Sequence, residues 1–133
     1  MATYRRGDIV FARVPDPSGA RIDHDHPVIL WTPTAKIVPG SIIDTVVISH
    51  QVNKPYPKGH IPLPWHPSGH PITGLYYESV AKCDWTVPLT LDDLKGHLGV
   101  TPPSIMDLIY VALVERLKHV RATKSAKHES DKC

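Results

Sequence analysis

Val28-Ile29-Leu30-Trp31 and Thr45-Val46-Val47-Ile48-Ser49 are the two stretches that set the architecture of this 133-residue chain. Each is a short run rich in β-branched and apolar residues. Pro27 and Pro33 flank the first, and Val38-Pro39-Gly40-Ser41 turns the chain between the two. Runs of that length and composition read as strands. Val46 to Ile48 offer no polar position, so the strand from about Ile43 to Gln51 should be buried on both faces and central in a sheet. The preceding strand spans about Pro27 to Thr32. Strands gripped on both sides hold their ends firmly, and these ends carry His24, His26, Ser49, His50 and Gln51.

Upstream, Arg5-Arg6-Gly7-Asp8 makes a basic turn into a first strand, Ile9 to Val14, which Pro15-Asp16-Pro17-Ser18-Gly19 ends. The polar loop from Gly19 to Asp25 is then free to lie over a site. Downstream, residues 53–73 hold six prolines and three histidines, with only Ile61-Pro62-Leu63 resembling a strand. A long loop in a small domain reads as a lid or a substrate-contacting arm, the alternative being a Pro-stiffened hairpin without a role. Alternation over Ser79 to Val87 predicts one or two strands. Thr90-Leu91-Asp92-Asp93 has capping-box spacing and Gly96 stops the turn, which predicts a short helical segment. Thr101 as N-cap, Pro102, and Ile105, Leu108, Ile109, Ala112, Leu113 and Leu117 at helical spacing predict one substantial helix, packed on a sheet or a second subunit. Residues 1–120 form a single domain in this reading, and 121–133 a charged, disordered tail.

Lys plus Arg number 15 against 13 Asp plus Glu, a formal charge of +2, with nine His besides. That balance permits a nucleic-acid partner but lacks the strong basic excess of a dedicated binder. Two cysteines, Cys83 and Cys133, indicate a reduced protein without structural disulfides. No apolar run approaches the roughly 20 residues that span a bilayer, and Met1 to Arg6 lead into no signal-type core. A soluble, cytoplasmic protein with no membrane partner is the expectation.

In this order the motifs resemble the PemK/MazF family of bacterial toxin endoribonucleases, from Arg6 to about Leu117. The carriers are Arg6-Gly7-Asp8-Ile9-Val10, Pro17-Ser18-Gly19, His26-Pro27-Val28-Ile29-Leu30, Val47-Ile48-Ser49-His50-Gln51, Gly74-Leu75 with Ser79-Val80, and the C-terminal helix. The resemblance implies a mostly β, α+β fold, an SH3-like barrel with a C-terminal helix. It also implies a homodimer that cleaves single-stranded RNA without a metal or other cofactor. A cognate antitoxin would occupy the RNA groove, and operator DNA would be reached through the antitoxin complex. The family's catalytic Arg before the Pro and its Thr or Ser at the end of the third strand fall on His26 and Ser49. This chain therefore has His where the family pattern has Arg, and Arg21 where some members are acidic.

Cutting RNA without a metal requires a base for the ribose 2′-OH, stabilisation of the phosphorane charge, and an acid for the leaving 5′ oxygen. Histidine starts with a pKa near 6.5 and suits proton transfer at ambient pH. His26 is accordingly assigned as acid and electrostatic partner, with Asp23 and Asp25 to keep it charged, and Ser49 as the group that positions the phosphate or 2′-OH. His24 or His50 would supply the base. His24, His50 and Gln51, with Arg21 and Lys54, are the candidate substrate contacts; Arg13 and Lys58 extend a phosphate-tracking groove, and Tyr56 or Trp65 could stack on bases. His24-x-His26 is also a metal spacing, which Asp23, Asp25 or His50 could complete. Trp31 and Trp85 are assigned to the core or a dimer face, and Cys83 to the interior as an inert thiol. Two functions fit: an endoribonuclease toxin, or a binding module of the same fold that binds antitoxin or nucleic acid without cleaving.

Overall fold

The computed structural model describes residues 3–15 and 24–131. Six strands, β1 (Asp8–Val14), β2 (His24–Leu30), β3 (Ile43–Ser49), β4 (His60–Leu63), β5 (Ser79–Leu89) and β6 (Leu94–Val100), precede one helix, α1 (Pro103–Asp131). The strands form a single antiparallel sheet in the order β4-β5-β3-β2-β1-β6. β3 is thus interior, paired on one side with β2 and on the other with β5, as its unbroken apolar run requires. Successive residues of a strand point to opposite faces. Ile29, Val46 and Ile48 enter a first core under α1, together with Ile9, Ala81 and Ile109. Val28, Leu30 and Val47 enter a second core on the other face, with Val10, Ala12 and Leu89.

The mostly β architecture with a C-terminal helix agrees with the expectation, but the sheet is not closed into a barrel. β4 and β6 stand at its two ends, and among the described residues no ladder joins them. β4 is only four residues long and includes Pro62, which has no N–H to donate. β6 carries Gly96 and Gly99 and pairs with β1 through two irregular steps. The sequence reading missed β6 because it took Gly96 as a helix stop. The segment before it is one 3-10 turn, Leu91–Asp93, closed by Thr90 N–H donating to Asp93 Oδ2 at 2.9 Å.

The Pro-rich segment differs from a free arm. Residues from Pro64 to Leu75 are tied down by Thr73 Oγ1 donating to Pro64 O at 2.8 Å, Gly74 N–H to His70 O at 2.8 Å, and Val100 N–H to Ile72 O at 2.9 Å. His66 and His70 act locally here, their Nδ1 atoms accepting from the backbone N–H of Ser68 and Ile72. The loop lies so close to β6 that a Cβ on Gly99 would collide with the Ile72 and Thr73 backbone. Thr101 does not cap α1: its Oγ1 is buried without a partner, and its N–H donates to Gly7 O at 2.8 Å. Pro102 and Pro103 lack N–H groups, so the helix start has fewer donors to satisfy. α1 continues to Asp131 through the region read as a disordered tail; Ala122, Lys124, Ala126, Lys127 and Glu129 are all good helix formers.

Gly99→Val should therefore cost about 2–4 kcal/mol, because the atoms it meets are backbone and cannot rotate away. Chemical denaturation against Gly96→Ala, where a Cβ meets nothing, checks this, and equal losses would show that the loop is not packed there.

Candidate functional site

Pairing between β2 and β3 runs Leu30↔Thr45, Ile29↔Val46, Val28↔Val47. Pro27, without an N–H, follows at the point where the ladder ends. Carried two positions further, the same register sets His26 level with Ser49 on neighbouring strands. Alternation gives His26 the face of Val28 and Ser49 the face of Val47, which is the second-core face, away from α1. Both residues are half-buried. The His26 ring meets Trp85 edge-on, with centroids 5.3 Å apart. Ser49 Oγ accepts the Gln51 N–H at 3.1 Å, which draws the chain after β3 back over the strand end.

β5 brings Lys82, which the sequence did not single out, and sets Trp85 beside His26. Lys82 pairs with Val47 and Thr86 with Val46, so residues 83–85 bulge out of a single ladder step. The bulge swings Trp85 onto the second core, against which it packs half-buried, and beside His26. Lys82 shares the face of Val47, and its Nζ lies 5.8 Å from the Trp85 ring centroid. Among the described residues no carboxylate lies within ion-pairing distance of Lys82. His60 is level with Lys82 on β4. Its side chain is only 9% exposed, its Nε2 is 3.6 Å from Asp84 Oδ1, and its Nδ1 has no partner. A lysine at a strand position between buried Ala81 and Cys83, three residues before a tryptophan, was the available signal.

The other predicted residues divide. His50 is exposed at the end of β3, its ring centroid 5.8 Å from that of Tyr77. Gln51 is exposed and contributes its backbone to Ser49. Lys54 is held by Glu78, with Nζ to Oε1 at 2.8 Å, and that hydrogen bond and charge raise its pKa. Asp25 pairs with Arg13 across β1 and β2, and alternation turns it to the face opposite His26, so it does not buttress that imidazole. Arg21 and Asp23 lie outside the described residues, and of His24 only the backbone is described, at the start of β2. The metal alternative needs those groups; among the described residues no three His, Cys, Asp or Glu side chains converge on a point. Trp31 is half-buried against the first core, with the Arg6 guanidinium 4.5 Å over its ring. Cys83 is buried in that core, and burial, then the Asp84 charge, push its thiol up to about 11. It is a packing residue and not a nucleophile.

An imidazole, a hydroxyl, an ammonium and an indole therefore share one face where the β2–β3 ladder opens. Together they can donate a proton, hold an anionic oxygen and stack on a flat ring. No helix among the described residues is long and apolar enough to cross a membrane.

The sequence matches no family model and no curated protein. Solved structures do match. The Mycobacterium tuberculosis toxin MazF-mt6 superposes with a TM-score of 0.65 at 18% identity, over 84% of this chain and 96% of that one. MazF from Deinococcus radiodurans gives 0.68 at 16% identity, over 89% and 99%. A mycobacterial endoribonuclease in complex with its cognate antitoxin gives 0.57 at 21% identity, over 89% and 96%. The chain has the MazF fold across most of its length.

Two measurements probe this geometry. His26→Ala should change indole emission, because the imidazole stands edge-on to Trp85 with centroids 5.3 Å apart, while Trp31 and Trp65 keep their surroundings; unchanged emission would show that the two rings do not meet. In a Cys133→Ser background, the native Cys83 thiol should resist alkylation at pH 8 and react only after unfolding. Because its pKa is raised from 9.0 to about 11, the unfolded thiol ionises first and stability falls as pH climbs through that window.

Proposed function

We propose that the chain is the toxin of a toxin–antitoxin pair, a metal-independent endoribonuclease that cuts single-stranded mRNA and so inhibits growth. What carries the reading is the grouping of His26, Ser49, Lys82 and Trp85 on one face of a MazF-type sheet. A ribose 2′-OH loses its proton to His24 or His50 and attacks phosphorus. The O2′–P bond forms, the P–O5′ bond breaks, and His26 delivers a proton to the leaving 5′ oxygen. Ser49 Oγ–H positions a non-bridging phosphate oxygen. Lys82 supplies fixed positive charge to the phosphorane, which a histidine in place of arginine provides less well. Trp85 stacks on a base beside the scissile bond. The products are a 2′,3′-cyclic phosphate and a 5′-OH.

Arg21, His24, Gln51 and Lys54 complete the substrate contacts in this reading. The partners are single-stranded RNA, a cognate antitoxin that covers the same face, operator DNA held through the antitoxin complex, and a second protomer in a homodimer. The setting is the cytoplasm. The matched structures include a MazE–MazF complex from Deinococcus radiodurans and a mycobacterial endoribonuclease bound to its cognate antitoxin, and they support the antitoxin as partner.

Purified protein should cut a long RNA equally with and without EDTA. His26→Ala should lower the rate about 10²–10⁴-fold and flatten a bell-shaped pH profile. Ser49→Ala and Lys82→Ala should each lower it about tenfold to a hundredfold, with Lys82→Arg recovering most of the loss. Cleavage abolished by EDTA, or unaffected by His26→Ala, overturns the mechanism; RNA binding without cleavage in the wild type overturns the nuclease assignment.

A further inference from the structure

Residues 66–74 build the same turn twice. His66-Pro67-Ser68-Gly69 is followed at once by His70-Pro71-Ile72-Thr73-Gly74. In each unit the imidazole Nδ1 accepts the N–H of the residue after the proline, from Ser68 at 3.0 Å and from Ile72 at 3.1 Å. A glycine at positive φ then closes the turn, donating its N–H to the histidine carbonyl at 2.8 Å. A ring nitrogen that accepts does not carry the proton, so in the neutral imidazole Nε2 does. Both rings therefore present an N–H donor, and among the described residues nothing engages either Nε2. The turn asks only for an acceptor, which Asn or Asp would supply; histidine adds the donor. The same arrangement disfavours a metal, since ligation through Nε2 would move the proton onto Nδ1 and against the backbone N–H it accepts.

Flat rings stand beside these donors. Tyr76 lies against Gly69, where a Cβ would come within 3.2 Å of the phenol ring, and Tyr76, Tyr77 and Trp65 are 52%, 70% and 41% exposed. Tyr77 also meets the His50 ring, with centroids 5.8 Å apart, which joins the patch to the end of β3. Ser49 pairs with Val80, and the four steps from Tyr76 to Val80 reach at most roughly 14 Å. The patch is preset, because Thr73 Oγ1 and the Val100 N–H fasten the segment to Pro64 and to β6. From this we infer that the paired His-Pro turns, with Tyr76, read one base of the RNA beside the scissile phosphate and select a keto base, uracil or guanine. Uracil O4 and guanine O6 accept from an Nε2–H, whereas cytosine and adenine offer an amino donor at the same place. Tyr76 supplies the stacking surface, which every base can use, so affinity and selectivity fall to different residues. The inference rests on RNA as the substrate proposed above and adds which base is chosen and by which side chains.

The test is fluorescence anisotropy of labelled oligouridine and oligocytidine of equal length, in EDTA, with the full chain carrying His26→Ala so that cutting is slowed. Oligouridine should bind about tenfold tighter. Adding His66→Asn and His70→Asn should bring the two affinities together, since the amide still accepts the turn N–H but is too short to reach where Nε2 stood. Denaturation should show the fold intact, and His66→Asn alone, at the exposed ring, should give part of the same loss if the pair costs stability. Tyr76→Ala should weaken both oligomers about tenfold and leave their ratio unchanged. Equal affinities in the parent, a ratio that survives both histidine changes, or a preference that appears only when zinc replaces EDTA would each overturn the base reading. A folded protein that binds neither oligomer overturns RNA as partner as well. Selective binding by a wild type that cuts no RNA overturns the nuclease proposal and leaves the base reading standing.

Discussion

The pairing of β2 with β3 is the constraint on which this molecule turns. Val28, Leu30 and Val47 face one core, while Ile29, Val46 and Ile48 face the other, and all are 0 or 1% exposed. A slip of one residue would exchange every one of these side chains between faces. With apolar demand on both sides and hydrogen bonds to neighbours on both edges, no other register serves as well. The same register places His26 and Ser49. Pro27 adds the second half of the device: having no N–H, it ends the ladder where the polar groups begin, and leaves the strand ends open to a ligand.

β5 completes what β2 and β3 begin. A regular strand would have kept Trp85 in line with its neighbours. The three-residue bulge opposite the Val46–Val47 step brings the indole to His26 and leaves Lys82 between it and β4. In the proposed mechanism, proton delivery falls to His26 on β2 and electrostatic stabilisation to Lys82 on β5, two tasks one arginine combines poorly because it does not readily release its proton.

Much of the scaffold was readable along the chain. β1, β2, β3 and the start of α1 stand close to where their patterns place them, because each is a strongly periodic apolar segment closed off by Pro or Gly. β6 was not readable. Leu94, Leu98 and Val100 are separated by Lys95, Gly96, His97 and Gly99, and what makes them a strand is β1 on one side and the 64–75 loop on the other. Of the site, His26 and Ser49 emerge from the resemblance and the strand ends. Lys82 and Trp85 do not, since a bulge is a property of two strands and not of one. Asp25, adjacent to His26 in sequence, faces the other way because both lie within β2 and successive strand residues alternate between faces.

By itself, the sequence determined which segments are buried on both faces, where prolines and glycines interrupt them, and which polar residues stand at their ends. These follow from local chemistry: periodicity, backbone restriction and the cost of burying unpaired polar groups. Only the tertiary structure decided which strand neighbours which, that the sheet stays open, and which side chains meet on its second-core face. Those choices depend on contacts between residues tens of positions apart, each weak and none written in a single segment, whose sum selects one register over its neighbours.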